Sequence, residues 1–484
     1  MLTSTGWFRE GIFCCAFLIL FSLLGFQTEA IYYYHFGEVT NSDALYPYLF
    51  GLDLHDSIQN VRTWNFPPSS TWIPDVLLLW FVESFTSNLE TLFNVYLVCV
   101  LYGLVYFLRV LGLHFLNGVF LSFSFLLLGV TYPREWGQFF LPSFHGMEFL
   151  MMGILFHQIK IRRLVRFREM FLVSILFSLF LQSELWLFVH FVPFLALYFL
   201  FTKRIQSGIL ILILTLVVFL TMKKWERMVG LGSFQTHQLG WQGIFLNLMQ
   251  LPTMALDGLR IHLFGLTSVP LSEYMFPMTT VLAIFMFVLY RKLGTIEPLL
   301  LTLSIFLTLL FLICLKIEMN ARYLYSLPIV VLYCPLFLIQ NILSKYVQII
   351  AMSLLLLFSY LCVTKIEPIN QQKISAYKEK FQIRMECLQK LEITLSNEAV
   401  FSEYWLTKYS RAYSQNRLHL VPFTPDGIYY PWVHNTKWDQ GLVSKEISSF
   451  RWKILRNPNS AQKESGILYP IPCLDWQIIG PKIP

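Results

Sequence analysis

Two stretches of this sequence combine residue types suited to group transfer. The first, Asn41-Ser-Asp-Ala-Leu-Tyr-Pro-Tyr48, follows an apolar run from Gly11 to about Ile31. It puts Asp43 just beyond a hydrophobic segment, at the level of a membrane–water boundary. A carboxylate there can take a proton from an acceptor hydroxyl. The same residue also fits a helix N-cap ahead of Ala44 and Leu45, with Pro47 tolerated in the first turn. Asp53 and Asp56 follow and are expected to be solvated. The second stretch, Lys316-Ile-Glu-Met-Asn-Ala-Arg-Tyr-Leu-Tyr-Ser-Leu-Pro328, offers Arg322 and Lys316 to a phosphate, one as a bidentate donor and the other as a point charge. An arginine at the end of a span also snorkels to the interface without any function. Between the two lie Arg134-Glu135-Trp136 and then His145 and Glu148, the most deeply placed acid. Buried acids in apolar segments face a cavity or a partner, so this pair either lines a site or forms a structural hydrogen bond. Ser183-Glu184 marks a tight turn that is open to solvation or to function.

The elements that must position these residues are apolar helices. Of 484 residues, 56% are hydrophobic and 13% charged, about half the charge of an average soluble domain. The apolar residues cluster into runs close to the ~20 residues that cross a bilayer. Beyond the first run, spans are expected near 89–110, 115–132, 139–158, 169–182, 185–202, 207–222, 276–290, 298–315, 323–341 and 346–364, about eleven in all. With a cytoplasmic N-terminus, Arg109, the cluster from Lys160 to Arg168, Lys203 and Arg204, Arg291 and Lys292, and Lys345 all fall inside, as the positive-inside rule asks. The net charge of +7 is therefore topological, and nucleic acid is excluded as a partner. Val76 to Phe85 is too short to span and reads as an interfacial or re-entrant helix.

This topology puts residues 32–88, 223–275 and a tail, 366–484, on the outer face. The tail alternates polar and apolar positions around the turn signal Pro425-Asp426-Gly427 and is expected to form a small α/β extracytoplasmic domain. Its aromatic residues Tyr429, Tyr430, Trp432 and Trp438 suit a core or a sugar-stacking face. Of the eight cysteines, only Cys387 and Cys473 lie in polar sequence, and outside the cytoplasm they can pair.

In their order and sidedness these features resemble the GT-C superfamily of polyprenyl-phosphate-sugar-dependent glycosyltransferases, which includes protein O-mannosyltransferases and the aminoarabinose transferase. The matching pieces are Asp43 after the first helix, Pro67-Pro68, the short helix Val76 to Phe85, and Arg322-Tyr323-Leu324 followed by Leu327-Pro328. The resemblance covers residues 1–365, including the outer loop 32–88, and implies an all-α polytopic bundle with 366–484 as a separate domain. It implies that Asp43 is the general base or acceptor-orienting carboxylate and that Glu135 is an additional acid. Arg322 and Lys316, with Arg134, would bind the donor phosphate, and His145, Glu148 and Tyr323 would line the cavity. Some members use a divalent metal at the second acid. This sequence has Arg134-Glu135 with no Asp-x-Asp there, so a divalent metal is possible but not indicated, and no cofactor is certain. The implied partners are a polyprenyl-phosphate sugar and membrane lipid, and the acceptor is open. A flippase or transporter for a lipid-linked glycan, or an inactive assembly protein of the same architecture, are the alternatives.

Overall fold

The computed structural model describes residues 29–228 apart from 40, 67–70, 135 and 162–165; 232–233; 296–314; and scattered positions between 329 and 341. Of the tail it describes 371–395, 398–414, 418–424, 428–430, 434–439, 450–456, 467–469 and 473–481. The protein is mostly helical with a small sheet. Its helices are α1 (Glu29–Tyr33), α2 (Tyr46–Asp56), α3 (Leu77–Glu83), α4 (Leu89–Val110), α5 (Phe115–Thr131), α6 (Glu148–Ile161), α7 (Phe167–Ser183), α8 (Trp186–Phe201), α9 (Ile205–Met228), α10 (Glu297–Cys314), α11 (371–395) and α12 (Tyr404–Tyr413). Chain contacts divide it into two compact units. One takes the described residues within Asn94–Lys223 and Thr236–Glu367. The other takes those within Thr28–Phe93, Lys224–Gln235 and Pro368–Pro484. Residues 28–93 thus group with the tail from 368 onward.

In the first unit, α4 to α10 fall on seven of the expected apolar runs. Among the described residues two helices, Leu89–Val110 and Ile205–Glu226, have the length and apolarity to cross a membrane, and Phe115–Thr131 and Trp186–Phe201 are apolar but shorter. The remaining expected spans, 11–31, 276–290, 323–341 and 346–364, lie wholly or largely outside the described residues. On α9 a stripe of Ile209, Ile213, Leu216, Val217 and Leu220 is exposed, a one-sided apolar face at helical spacing. Its other face meets α7 through small polar residues: Ser174 Oγ donates to Ile211 O at 3.1 Å and Ser178 Oγ to Thr215 O at 2.9 Å. Hydroxyl-to-carbonyl bonds of this kind hold helices together where apolar burial gives little preference. Lys160 Nζ joins the end of α6 to Glu297 Oε1 at the start of α10, 2.8 Å away.

One helix starts later than the apolar run at 139–158 suggests. A 3₁₀ turn, Gly137–Phe140, and a set of turns through Met147 replace its first part, and α6 begins only at Glu148. Pro142 lacks a backbone donor, and Ser143 and His145 both have φ of 67°, a left-handed conformation that breaks a helix. His145 therefore stands on a loop.

The second unit contains a two-stranded pairing of β1 (Asn65–Phe66) with β2 (Gly232–Ser233) and a five-stranded sheet. The sheet strands are β3 (Ala399–Glu403), β4 (His419–Phe423), β5 (Trp452–Leu455), β6 (Ile467–Tyr469) and β7 (Gln477–Gly480), in the order β4-β3-β5-β7-β6. The first three are mutually parallel, and β7 and β6 are antiparallel additions. Phe401, Val421, Phe423, Phe450, Leu455 and Ile479 form its core. The α/β tail is thus present, with α12 as the crossover between the parallel strands β3 and β4. A disulfide joins Cys387 on α11 to Cys473.

The segment around residues 32–88 is built into this unit. Arg384, almost fully buried on α11, donates to the carbonyls of Gly37 and Glu38 and pairs with Asp475 at 3.1 Å. Gly37 has no room for a side chain, because a Cβ would overlap the carbonyl of Tyr377. Residues 76–85 contain the short helix α3; in this stretch Val76 and Leu79 are buried and Leu77, Trp80, Phe81 and Phe85 are exposed, a pattern compatible with an interfacial helix.

Candidate active site

Asp43 opens a 3₁₀ turn, Asp43–Leu45, that leads into α2, and no side-chain cap is made at either start. Its carboxylate is engaged elsewhere. β3 ends at Glu403 and α12 starts at once, so Tyr404 and Lys408, spaced i and i+4, share one face of its first turns. Tyr404 Oη donates to Asp43 Oδ1 at 2.7 Å and Lys408 Nζ to the same oxygen at 3.1 Å. Lys408 Nζ also donates to Tyr404 Oη. Among the described residues no bond is made to Asp43 Oδ2, and 31% of the side chain is exposed while that of Lys408 is fully covered. One carboxylate oxygen is anchored, and the side chain that carries it remains partly exposed.

Burial pushes the Lys408 ammonium below its ordinary range, although Asp43 pulls it back toward the charged form. Burial and the adjacent negative charge both push Tyr404 well up, so its proton stays on the phenol and it remains a donor. Tyr430 packs edge-on against Tyr404 at 5.4 Å.

A second polar group in the same unit is structural. Asp53, expected to be solvated, is buried and accepts bonds from Trp64 Nε1 at 2.8 Å and from Asn435 Nδ2. The hydrophobic setting of α2 buries this face of the loop; Asp56, three residues on, is exposed. Asp439, fully buried, accepts from Tyr429 Oη at 2.9 Å and pairs with His434 Nε2 at 2.7 Å. Burial pushes its carboxyl up, but hydrogen bonds from His419 and His434 outweigh that and hold it below the usual range. Trp438 packs edge-on against Trp64 at 5.2 Å with the Arg411 guanidinium 3.6 Å above its ring, and Tyr429 packs against the sheet core. Both aromatics are partly buried, as is Tyr430; Trp432 lies outside the described residues.

The first unit holds the other expected acid. Glu148 is fully buried; its Oε2 lies 2.8 Å from His190 Nδ1, and its Oε1 3.3 Å from His145 Nδ1. Glu184, on a turn open to solvation or to function by sequence, is buried and sits 3.1 Å from the same His145 nitrogen. Arg134 is exposed on the turn after α5. Glu135, Lys316, Arg322 and Tyr323 lie outside the described residues.

No family model matches the chain, and no curated protein is significantly similar to it. The site must therefore be read from its own geometry. Tyr404, Lys408 and His190 escaped the sequence reasoning. Tyr404 and Lys408 did carry a signal, an i, i+4 donor pair at the start of a helix, but nothing local named its acceptor.

Proposed function

We propose that the chain is a multi-pass membrane glycosyltransferase that moves a sugar from a polyprenyl-phosphate donor to an acceptor on the extracytoplasmic face. The observation that carries this reading is the half-anchored Asp43 carboxylate: Oδ1 accepts from both Tyr404 and Lys408 while the side chain as a whole stays 31% exposed. A preset acceptor of this kind orients a hydroxyl at little reorganisation cost. In the reaction the acceptor oxygen attacks the anomeric carbon and its proton passes to Asp43. The bond from that carbon to the phosphate oxygen breaks with inversion. Arg322, Lys316 and Arg134 would stabilise the departing phosphate and Glu135 would assist near the acceptor, as the GT-C resemblance implies. The eleven-span topology with an inner N-terminus belongs to the same reading. Two features support it: the exposed apolar stripe of α9 and a disulfide in the tail, which suits an oxidising compartment.

A specific observation also favours an inactive assembly protein, since both bonds to Asp43 come from the tail and would serve equally as a latch. The test is transfer from a panel of labelled polyprenyl-phosphate sugars by the full chain in nanodiscs, for wild type and Asp43→Asn, with retention of the disulfide as the folding control. Transfer that Asp43→Asn abolishes while folded supports the enzyme. A folded Asp43→Asn protein with full transfer, or a wild type inert toward every donor, sinks it.

A further inference from the structure

In the first unit, three donor atoms from two separate stretches of the chain converge. His145 comes from the loop after α5, Glu148 from the first residue of α6, and Glu184 from the turn between α7 and α8. His145 Nδ1, one oxygen of Glu148 and one of Glu184 all lie within 4.8 Å of one another. The nitrogen is 3.3 Å from Glu148 Oε1 and 3.1 Å from Glu184 Oε2. Around zinc, ligand bonds of about 2.0–2.2 Å at tetrahedral angles put neighbouring donors roughly 3.3 Å apart.

The far oxygens of the two carboxylates are held separately. Glu148 Oε2 meets His190 Nδ1 at 2.8 Å, and Glu184 Oε1 accepts the backbone N–H of Trp186 at 3.1 Å. Each carboxylate is thus oriented from behind, so that its other oxygen turns toward His145. This is the outer-shell arrangement that metal-ligating carboxylates use. A cation placed between these three atoms can accept a lone pair from each of them at once. Trp186 also stands edge-on to His145, with ring centroids 5.9 Å apart.

We infer that His145, Glu148 and Glu184 form a binding site for a divalent transition metal of the zinc class, with His190 as the residue that positions Glu148. One imidazole and two carboxylates suit zinc better than magnesium, which prefers an all-oxygen shell. The site uses neither Asp43 nor Glu135 and stands whether or not the chain is a transferase.

The experiment uses the full chain in detergent, stripped with a chelator and dialysed, then titrated with Zn²⁺ and, for its visible spectrum, Co²⁺. Expected are one Zn²⁺ per chain and a Co²⁺ spectrum of low-coordinate type that Zn²⁺ displaces. His145→Ala and Glu184→Gln should each weaken binding at least 100-fold, and His190→Ala roughly 10- to 100-fold. A wild type that binds neither ion saturably overturns the site, and needs no variant to fold. Stoichiometric binding unchanged in folded His145→Ala and Glu184→Gln proteins overturns it equally.

Discussion

Lys408 and Asp43 are 365 positions apart in the chain and 3.1 Å apart in the fold, and the ammonium end of that pair is completely buried. The two residues therefore contribute unequally to stability. Removing the carboxylate strands a buried cation, which costs about 3–5 kcal/mol, whereas replacing the lysine by an apolar residue of similar length is close to neutral. Asp43→Ala is expected to lower the unfolding midpoint sharply, Lys408→Met to leave it nearly unchanged, and the double variant to recover most of the loss. Denaturant titration followed by tryptophan fluorescence reads all three. Equal losses for the two single variants would contradict the inequality.

Cys387 and Cys473 close a loop of 86 residues within the unit that carries Asp43. Cross-linking a loop of that length stabilises by about 4–5 kcal/mol in the chain-entropy account. Reduction should lower the unfolding midpoint by a corresponding amount, and Cys387→Ser with Cys473→Ser should do so without reductant. Thiol alkylation of the native, unreduced protein followed by mass spectrometry checks the bond itself: a chain alkylated at both positions has none.

How much of this was legible in the sequence follows from the range of the interactions. The apolar runs marked α4 to α10 because hydrophobic length is a local property. The start of α6 was misplaced because hydropathy does not register that Pro142, Ser143 and His145 take non-helical backbone, and that loop is what carries His145 toward Glu184. Asp43 stands out by its place after an apolar run, but its partners Tyr404 and Lys408 come from a crossover helix more than 360 residues later, a separation no periodicity can bridge. Asp53 looked solvated for the same reason: the groups that bury it include Asn435.

Glu83 ends α3 and lies outside the expected spans, 3.7 Å from His55. Burial raises its carboxyl to about 7, His55 pulls it down, and Asp56 pushes it up again. Between its ordinary value of 4.5 and about 7 the folded chain keeps the proton while the unfolded chain loses it. Stability should therefore fall as pH rises through that window and level off above it. The fall is roughly 1–2 kcal/mol once partial exposure is allowed for. Glu83→Gln is expected to flatten the slope and to be the more stable protein at pH 8. Melting temperatures from pH 4 to 8 for both proteins decide it, and parallel curves would show that Glu83 is not the group responsible.

On α9, Ile213 is exposed and Thr215 is buried, two positions along the same helix. If lipid covers the exposed stripe, a charge at 213 must enter hydrocarbon, at about 2.5–3.5 kcal/mol on insertion scales. In water a lysine there would be harmless or would improve solubility. Ile213→Lys is thus expected to reduce membrane insertion and yield, with Ile213→Leu unaffected. At 215 the requirement is different, because the backbone carbonyl there accepts from Ser178 Oγ and the side chain must fit beside α7. Thr215→Leu should disturb packing without altering the apolarity of the helix. Insertion scored by glycosylation mapping and folding scored by thermal melting separate the two effects. A lysine at 213 that inserts and melts like wild type would mean that water, or protein, covers this stripe.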